Sequence, residues 1–117
     1  MNAEFYRLNH PERVCSPALI YYKDVIRENT EKAIAIAGGA ERLWPHVKSH
    51  KMAELIRMQM EMGIRRFKVA TIAELRMVAS CGAEHIVLAY PLVGPAVSLF
   101  LDAIEAYPKT AVYAIGD

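Results

Sequence analysis

The chain has 117 residues, of which 54% are hydrophobic and 23% are charged, and this composition indicates one folded domain rather than a disordered segment. Its formal net charge of +1, with acidic and basic residues interspersed, gives no extended field that would hold nucleic acid or an anionic membrane surface. The two cysteines, Cys15 and Cys81, stand far apart and outside any metal-ligand spacing, so we expect neither a disulfide framework nor a zinc site.

The N-terminus and the apolar runs bear on the cellular compartment. Residues 1–13 mix charged with single apolar residues and lack the uninterrupted apolar core of a signal peptide. No stretch approaches the ~20 apolar residues that a membrane helix needs. We therefore expect a soluble, cytoplasmic protein that binds neither membrane nor nucleic acid.

Strands and helices are predicted to alternate along the chain. In chain order the apolar patterns predict a strand at 18–22, a helix at 24–37, a strand at 42–48, a helix at 50–62, a strand at 66–70, a helix at 71–82, a strand at 85–90, a helix at 95–107 and a strand at 110–115. Gly38 and Gly63 mark the ends of the first two helices, and Thr71 and Glu74 have the spacing of a capping box. Pro95 suits the first turn of the last helix. The inward side chains of that helix are predicted to be Val97, Phe100, Leu101 and Ile104.

Single helices between strands indicate right-handed crossovers and a parallel sheet, so the fold class is α/β. Both an open doubly wound sheet and a (β/α)8 barrel have this pattern. A barrel takes roughly 250 residues, and this chain ends just after a strand. We therefore favour a partial (β/α)8 barrel, with about four strand–helix units and a fifth strand.

The polar residues most suggestive of chemistry lie in one segment, Trp44-Pro45-His46-Val47-Lys48-Ser49-His50-Lys51. In an extended backbone His46 and Lys48 would point together into the barrel and Val47 toward the helices. Lys48 would then lie at the carboxyl end of a strand, where catalytic side chains collect in barrels. A desolvated lysine can become a neutral amine that condenses with an aldehyde, although a solvated loop lysine is the simpler interpretation.

The two histidines of the segment leave alternatives open. His46 and His50 suit structural hydrogen bonds as well as proton transfer. As metal ligands they are weak candidates because no third ligand is in evidence, so no metal site is predicted in this chain.

Four short motifs resemble, in order and spacing, those of the D-threonine aldolase and D-serine dehydratase family. They are Ser16-Pro17-Ala18-Leu19-Ile20, Pro45-His46-Val47-Lys48-Ser49-His50-Lys51, Ala70-Thr71-Ile72-Ala73-Glu74 and Leu88-Ala89-Tyr90-Pro91-Leu92-Val93-Gly94-Pro95. The resemblance implies an alanine racemase-like barrel, with residues 1–15 as an N-terminal extension and residues 16–117 as the N-terminal part of that barrel. The remaining strands and a C-terminal β domain would then lie outside the chain.

The resemblance also implies pyridoxal 5'-phosphate as cofactor, with Lys48 forming the Schiff base. Lys51 is the second candidate, either a solvated charge or a contact for a phosphate or carboxylate. His46 and His50 would flank the Schiff base, and Tyr90 would line the pocket unless its loop is a plain turn. Thr71 and Glu74 are better explained by helix capping.

Two positions depart from the family pattern. Trp44 stands where many relatives have Arg, and Tyr22 stands where Asp is common. Both departures put substrate preference in doubt and leave the lysine assignment unchanged.

The activity implied is cleavage of β-hydroxy D-amino acids to glycine and an aldehyde, with D-serine dehydratase-type elimination as the alternative. In the full-length family a divalent metal positions the substrate hydroxyl, its ligands lie outside this chain, and the enzymes are often homodimers. We expect the chain alone to be inactive. A third reading is a cofactor-binding protein without turnover, against which the two histidines argue.

Overall fold

The computed structural model describes residues 3–115, with every side chain except those of Ala3 and Phe5. The outermost residues of the predicted extension and barrel, 1, 2, 116 and 117, lie outside this range. The helices and strands within it are α1 (Lys23–Ala37), α2 (Ala53–Glu61), β1 (Arg66–Val69), α3 (Ile72–Ser80), β2 (His85–Leu88), α4 (Ala96–Ala106) and β3 (Ala111–Ala114).

The three strands form one parallel sheet in the order β1-β2-β3, so neighbours in sequence are neighbours in space. Arg66 pairs with His85 and His85 with Ala111 at the start of the strands. A doubly wound sheet reverses its strand order at a switch point, whereas a barrel does not. The fold is therefore of the α/β class with a parallel sheet, and it is consistent with part of a barrel.

The hydrophobic core lies between one face of this sheet and the helices. Phe67 and Val69 of β1 and Ile86 and Leu88 of β2 are buried, because alternate side chains of a strand share a face. They join a cluster contributed by the helices and loops, which includes Val47, Ile56, Ile64, Leu75, Val78, Phe100 and Ala103. The other face of the sheet carries the polar residues described below.

Local signals correctly predicted the end of α1 and the start of α3. Gly38 takes a left-handed conformation with φ 83°, and both Gly38 and Gly39 donate their N–H groups to the carbonyl of Ile34 at 3.0 Å. Glycine adopts this conformation without the Cβ clash of other residues. Thr71 caps α3 through its side chain, which accepts the N–H of Glu74 at 3.1 Å.

The strand predicted at residues 18–22 does not form. No strand lies beside this segment anywhere in residues 3–115, and Leu19 is 75% exposed. A β-rich sequence becomes a strand only when a neighbour accepts and donates its ladder hydrogen bonds. The prediction of a first strand was therefore wrong for the described chain.

The strand predicted at residues 42–48 does not form as a strand, although a short extended segment remains. A single helical turn, Ala40–Arg42, precedes it, and its one ladder contact is a parallel bridge between His46 and Lys68. The N–H of Lys68 donates to the carbonyl of Pro45 at 2.9 Å. A second turn begins at Val47, so the extended backbone ends two residues before its predicted limit.

The inward face of α4 was partly mispredicted. Phe100 and Ala103 are buried, and Ile104 is half-buried, whereas Val97 and Leu101 are exposed. The helix packs mainly against α3, and this contact covers only a narrow stripe of its surface. Among the described residues, no helix combines the length and apolarity needed to cross a membrane.

Candidate active site at the lysine turn

The candidate site is built on residues 46–52, which we call the lysine turn. It begins where the extended backbone ends at His46, forms one helical turn over Val47–Ser49, and leads into α2. Val47 is fully buried in the core and anchors the turn beside β1. The polar side chains of the turn are thereby held at the carboxyl end of this extended segment.

Both histidines hold the turn through their Nδ1 atoms. Nδ1 of His46 accepts the backbone N–H of Lys48 at 3.3 Å, and Nδ1 of His50 accepts that of Met52 at 3.1 Å. An Nδ1 that accepts a hydrogen bond carries no proton, so each neutral ring has its proton on Nε2. Structural hydrogen bonding, one of the two roles considered for these residues, is therefore present at both.

The pKa values of both histidines lie below the usual value. Burial lowers the pKa of His46 most, and the positive charges of Lys48 and Lys68 lower it further. Burial also lowers the pKa of His50, against the opposing charge of Glu74. Both effects favour the neutral rings that the Nδ1 hydrogen bonds require.

Lys51 is bound to Glu74, although 59% of its side chain is exposed to solvent. Its backbone has φ 50°, an uncommon conformation for a residue other than glycine, and its N–H donates to the carbonyl of Val47 at 2.9 Å. Its Nζ donates to the carboxylate Oε1 of Glu74. The helix α2 begins at Ala53 and not at the predicted residue 50, because the positive φ of Lys51 is incompatible with a right-handed helix at that residue.

Glu74 has two functions, of which capping was predicted and the ion pair was missed. Its side chain is 3% exposed, and its Oε2 accepts the N–H of Ala70 at 2.6 Å. Burial raises the pKa of Glu74, but the hydrogen bonds from Lys51, Ala70 and Thr71 and the charge of Lys51 lower it more, so its pKa lies below the usual value. The capping-box spacing identified the residue, while nothing in the local sequence identified Lys51 as its partner.

Lys48 is exposed, and within residues 3–115 its amine has no hydrogen-bond or ion-pair partner. The expectation of an amine enclosed in a barrel interior is therefore wrong for the described chain. The three-stranded sheet does not close, so its polar face is open to solvent.

Lys68 is a further basic residue at this site that the sequence reasoning missed. It is the exposed residue of β1 between buried Phe67 and Val69, and it pairs with His46 in the parallel bridge. The charges of Lys48, Lys68 and Lys51 lower the pKa of His46, and the charge of Glu74 opposes them, so Lys68 contributes to the electrostatics of the site. The alternation around Lys68 was the available signal, since it places a charged residue on the face opposite the core.

Tyr90 lies two residues beyond β2 and is 64% exposed. The loop after it is closed by turn hydrogen bonds from Ala96 to Val93 and from Val97 to Gly94, each 3.2 Å long. Plain turn geometry therefore accounts for the loop. Within residues 3–115, no three potential metal ligands lie close enough together to hold an ion.

A separate aromatic group surrounds His85, the first residue of β2. The rings of His85 and Tyr113 are stacked with centroids 5.9 Å apart, and His85 Nδ1 lies 3.0 Å from the Tyr113 hydroxyl. Trp44 lies 6.1 Å from the His85 ring and 6.2 Å from that of Tyr113, with the Arg66 guanidinium 5.8 Å from its centroid. At the other departure from the family pattern, the Tyr22 hydroxyl donates to the backbone carbonyl of Tyr6 at 2.6 Å.

Comparison with known proteins supports the fold and the cofactor class. The sequence profile for the alanine racemase N-terminal domain matches residues 22–113, which cover well over half of the chain and include the whole lysine turn. The first resemblance motif, at residues 16–20, lies outside this match. The chain matches no curated protein sequence. The protein therefore belongs to the alanine racemase N-terminal domain family, whose members are pyridoxal-phosphate-binding enzymes of fold type III.

Proposed function

We propose that this chain is the cofactor-binding part of a pyridoxal-phosphate lyase that acts on β-hydroxy D-amino acids, and that Lys48 is the residue that binds the cofactor aldehyde. One observation favours Lys48 over Lys51, the other candidate lysine of the motif. The amine of Lys48 has no partner within residues 3–115, whereas that of Lys51 is bound to Glu74. An aldehyde can capture Lys48 without breaking an existing contact.

Lys51 is a poor alternative on energetic grounds. To reach an aldehyde, its nitrogen would have to leave Glu74, and the buried carboxylate would lose its charged partner. Leaving a buried carboxylate without one of its donors is more destabilising than breaking a fully exposed pair. Lys51 is therefore assigned to the framework of the site and not to its chemistry.

The residues around Lys48 fit an anionic aldehyde cofactor. The amine of Lys48 would hold the aldehyde carbon, and the positive potential of Lys68 and Lys48 favours a nearby phosphate or substrate carboxylate. The Nε2–H groups of His46 and His50 are the donors left to this site, because both Nδ1 atoms are used by the backbone. When bound, pyridoxal phosphate supplies an electron sink for the bond broken at the substrate Cα.

The lysine assignment is tested by adding pyridoxal phosphate and recording the Schiff-base absorbance. We expect the band in the wild type and in Lys51→Ala, and its loss in Lys48→Ala. Borohydride reduction followed by peptide mass spectrometry would identify the modified residue directly. Modification of Lys68 or Lys51 in place of Lys48 would contradict the assignment.

The reaction itself is tested by the products that the full-length protein implied by the resemblance forms from D-threonine and D-serine, because the chain alone is expected to be inactive. An aldolase releases glycine and acetaldehyde from D-threonine, whereas a dehydratase releases pyruvate and ammonia from D-serine. We propose the aldolase on the resemblance of residues 51–95. Pyruvate release without glycine would replace it by the dehydratase.

A second candidate function is cofactor binding without turnover. One observation favours it: both histidines, which argued for catalysis, use Nδ1 for backbone hydrogen bonds. In that case Lys48 would still form the adduct, but neither D-amino acid would give product.

A further inference from the structure

We propose that Glu74 is a positioning residue for Lys48, and that it acts through its ion pair with Lys51 to fix the lysine turn against the start of α3. The inference rests on the proposed function, in which Lys48 binds the cofactor. It assigns a role in the site to a residue that the sequence pattern explains as a helix cap alone.

Two backbone hydrogen bonds close the lysine turn. The carbonyl of Val47 accepts two N–H groups, from His50 at 3.3 Å and from Lys51 at 2.9 Å, and these bonds close the turn around Lys48. Lys51 itself has a left-handed conformation, with φ 50°. Such a conformation is unfavourable for a lysine and persists only where surrounding contacts hold it.

The contact that holds Lys51 in this conformation is its ion pair with Glu74. The Nζ of Lys51 donates to the carboxylate of Glu74, 23 residues further along the chain. Glu74 is itself fixed, because it is buried, its carboxylate accepts the N–H of Ala70, and its own N–H donates to Thr71. The ion pair thus ties a strained turn to a rigid anchor.

Lys48 lies between two points at which the lysine turn is attached to the rest of the fold. On one side, His46 pairs with Lys68 of β1 in the parallel bridge. On the other side, Lys51 is bound to Glu74 at the start of α3. The helix α3 follows β1 after only two residues, so both attachments belong to one rigid unit. The Cα of Lys48 is therefore fixed from both sides, while its long side chain remains free to reach a ligand.

The experiment compares Glu74→Gln and Lys51→Asn with the wild type. Glutamine retains an acceptor for the Ala70 N–H, and asparagine tolerates a positive φ better than most residues, so both variants preserve the local fold. Lys51→Arg retains the charge and serves as the conservative variant. Glu28→Gln and Lys32→Asn remove the exposed ion pair of α1, whose Nζ–Oε1 distance is 2.6 Å, and are the matched controls.

Two quantities are measured: the affinity for pyridoxal phosphate, from the Schiff-base absorbance, and amide hydrogen exchange at Lys51 in the cofactor-free protein. We expect Glu74→Gln and Lys51→Asn each to weaken affinity about tenfold through lost preorganisation and to accelerate exchange. Lys51→Arg and both controls should stay near the wild type. The double variant should be no worse than either single variant, because the two residues act as one unit.

A purely electrostatic role predicts a different pattern. Removing the carboxylate leaves an extra positive charge near Lys48, and removing Lys51 leaves an extra negative one, so the two variants would change affinity in opposite directions. Opposite changes, or unchanged affinity and exchange in both variants, would overturn the positioning role. If Lys48→Ala itself retained the band, the proposed function would fail instead, which keeps the two failures distinguishable.

Discussion

The chain contains two lysine–glutamate ion pairs that look alike as pairs and differ in what surrounds them. Lys32 and Glu28 lie one helical turn apart on α1, and both side chains are more than 60% exposed. Lys51 and Glu74 join the lysine turn to α3; the Lys51 side chain is 59% exposed, nearly as much as that of Lys32, whereas the carboxylate is almost fully buried. The first pair connects residues that the helix already holds together. The second pair joins two elements that are far apart in the sequence.

An ion pair therefore stabilises the fold more when its acceptor would be poorly solvated without the partner. Water solvates Glu28 whenever Lys32 moves away, so little free energy depends on that contact. Glu74 has little access to water, so its alternatives to Lys51 are the backbone N–H groups of Ala70 and Thr71. The stability of the second pair is therefore coupled to the shape of the turn.

The largest expected effect is that of removing the Glu74 side chain. Glu74→Ala deletes the acceptor for Lys51 and for the Ala70 N–H, and we expect it to lower the free energy of unfolding by about 2 kcal/mol. Urea denaturation followed by far-UV circular dichroism measures this change. Glu28→Ala, the control, should leave the midpoint nearly unchanged. An equal loss in both variants would remove the distinction between the pairs.

The next effect is the pH dependence of the stability that the Glu74 carboxylate contributes. The native pKa of Glu74 is lowered, so its contribution is complete above the ordinary glutamate pKa of about 4.3 and is lost as the pH falls through the native value. We expect the stability gap between the wild type and Glu74→Gln to narrow below about pH 4. Urea midpoints across this range test the sign, and a gap that widens on acidification would contradict it.

A comparable effect is expected from the histidine that closes the same turn. His50→Ala removes the acceptor for the Met52 N–H and should cost about 1 kcal/mol, whereas His50→Asn offers a replacement acceptor and should cost less. Because the native pKa of His50 is lowered, its stabilisation is complete above the ordinary histidine pKa of about 6.5 and declines as the pH falls from there. Nitrogen chemical shifts should show the proton of the neutral ring on Nε2, and a ring protonated on Nδ1 would refute the assignment.

The smallest expected effect is that of salt. At 1 M salt the Debye length is about 3 Å, so the exposed pair on α1 should be screened and the pair at the lysine turn much less so. Lys32→Asn should therefore become indistinguishable from the wild type in salt, while Lys51→Asn should stay less stable. Equal salt sensitivity of the two variants would show that Glu74 is more accessible to solvent than its burial indicates.

The sequence predicted those features that short-range chemistry determines. Gly38 and Thr71 mark the ends of helices because their conformation or side chain satisfies backbone groups within a few residues. Residues 18–22 have an equally clear strand pattern, but a strand also needs a neighbour, and the sequence does not indicate one.

The same distinction applies to the candidate site. The lysine motif identified Lys48, His46 and His50. The capping-box spacing from Thr71 identified Glu74 as a cap. The pairing of Lys51 with Glu74 spans 23 residues and depends on how the turn packs against β1, so no local pattern predicts it. The exposure of Lys48 depends on the face of the sheet remaining open, which is also a property of the tertiary arrangement.

The aromatic group around His85 has a practical consequence. Trp44 is the only tryptophan in the sequence, and it is half-buried beside His85 of β2 and Tyr113 of β3. Its fluorescence therefore reports on three consecutive segments of the sheet without any introduced label. Detachment of β3 would move the indole into water and shift its emission to longer wavelength, so the protein carries its own optical sensor of sheet integrity.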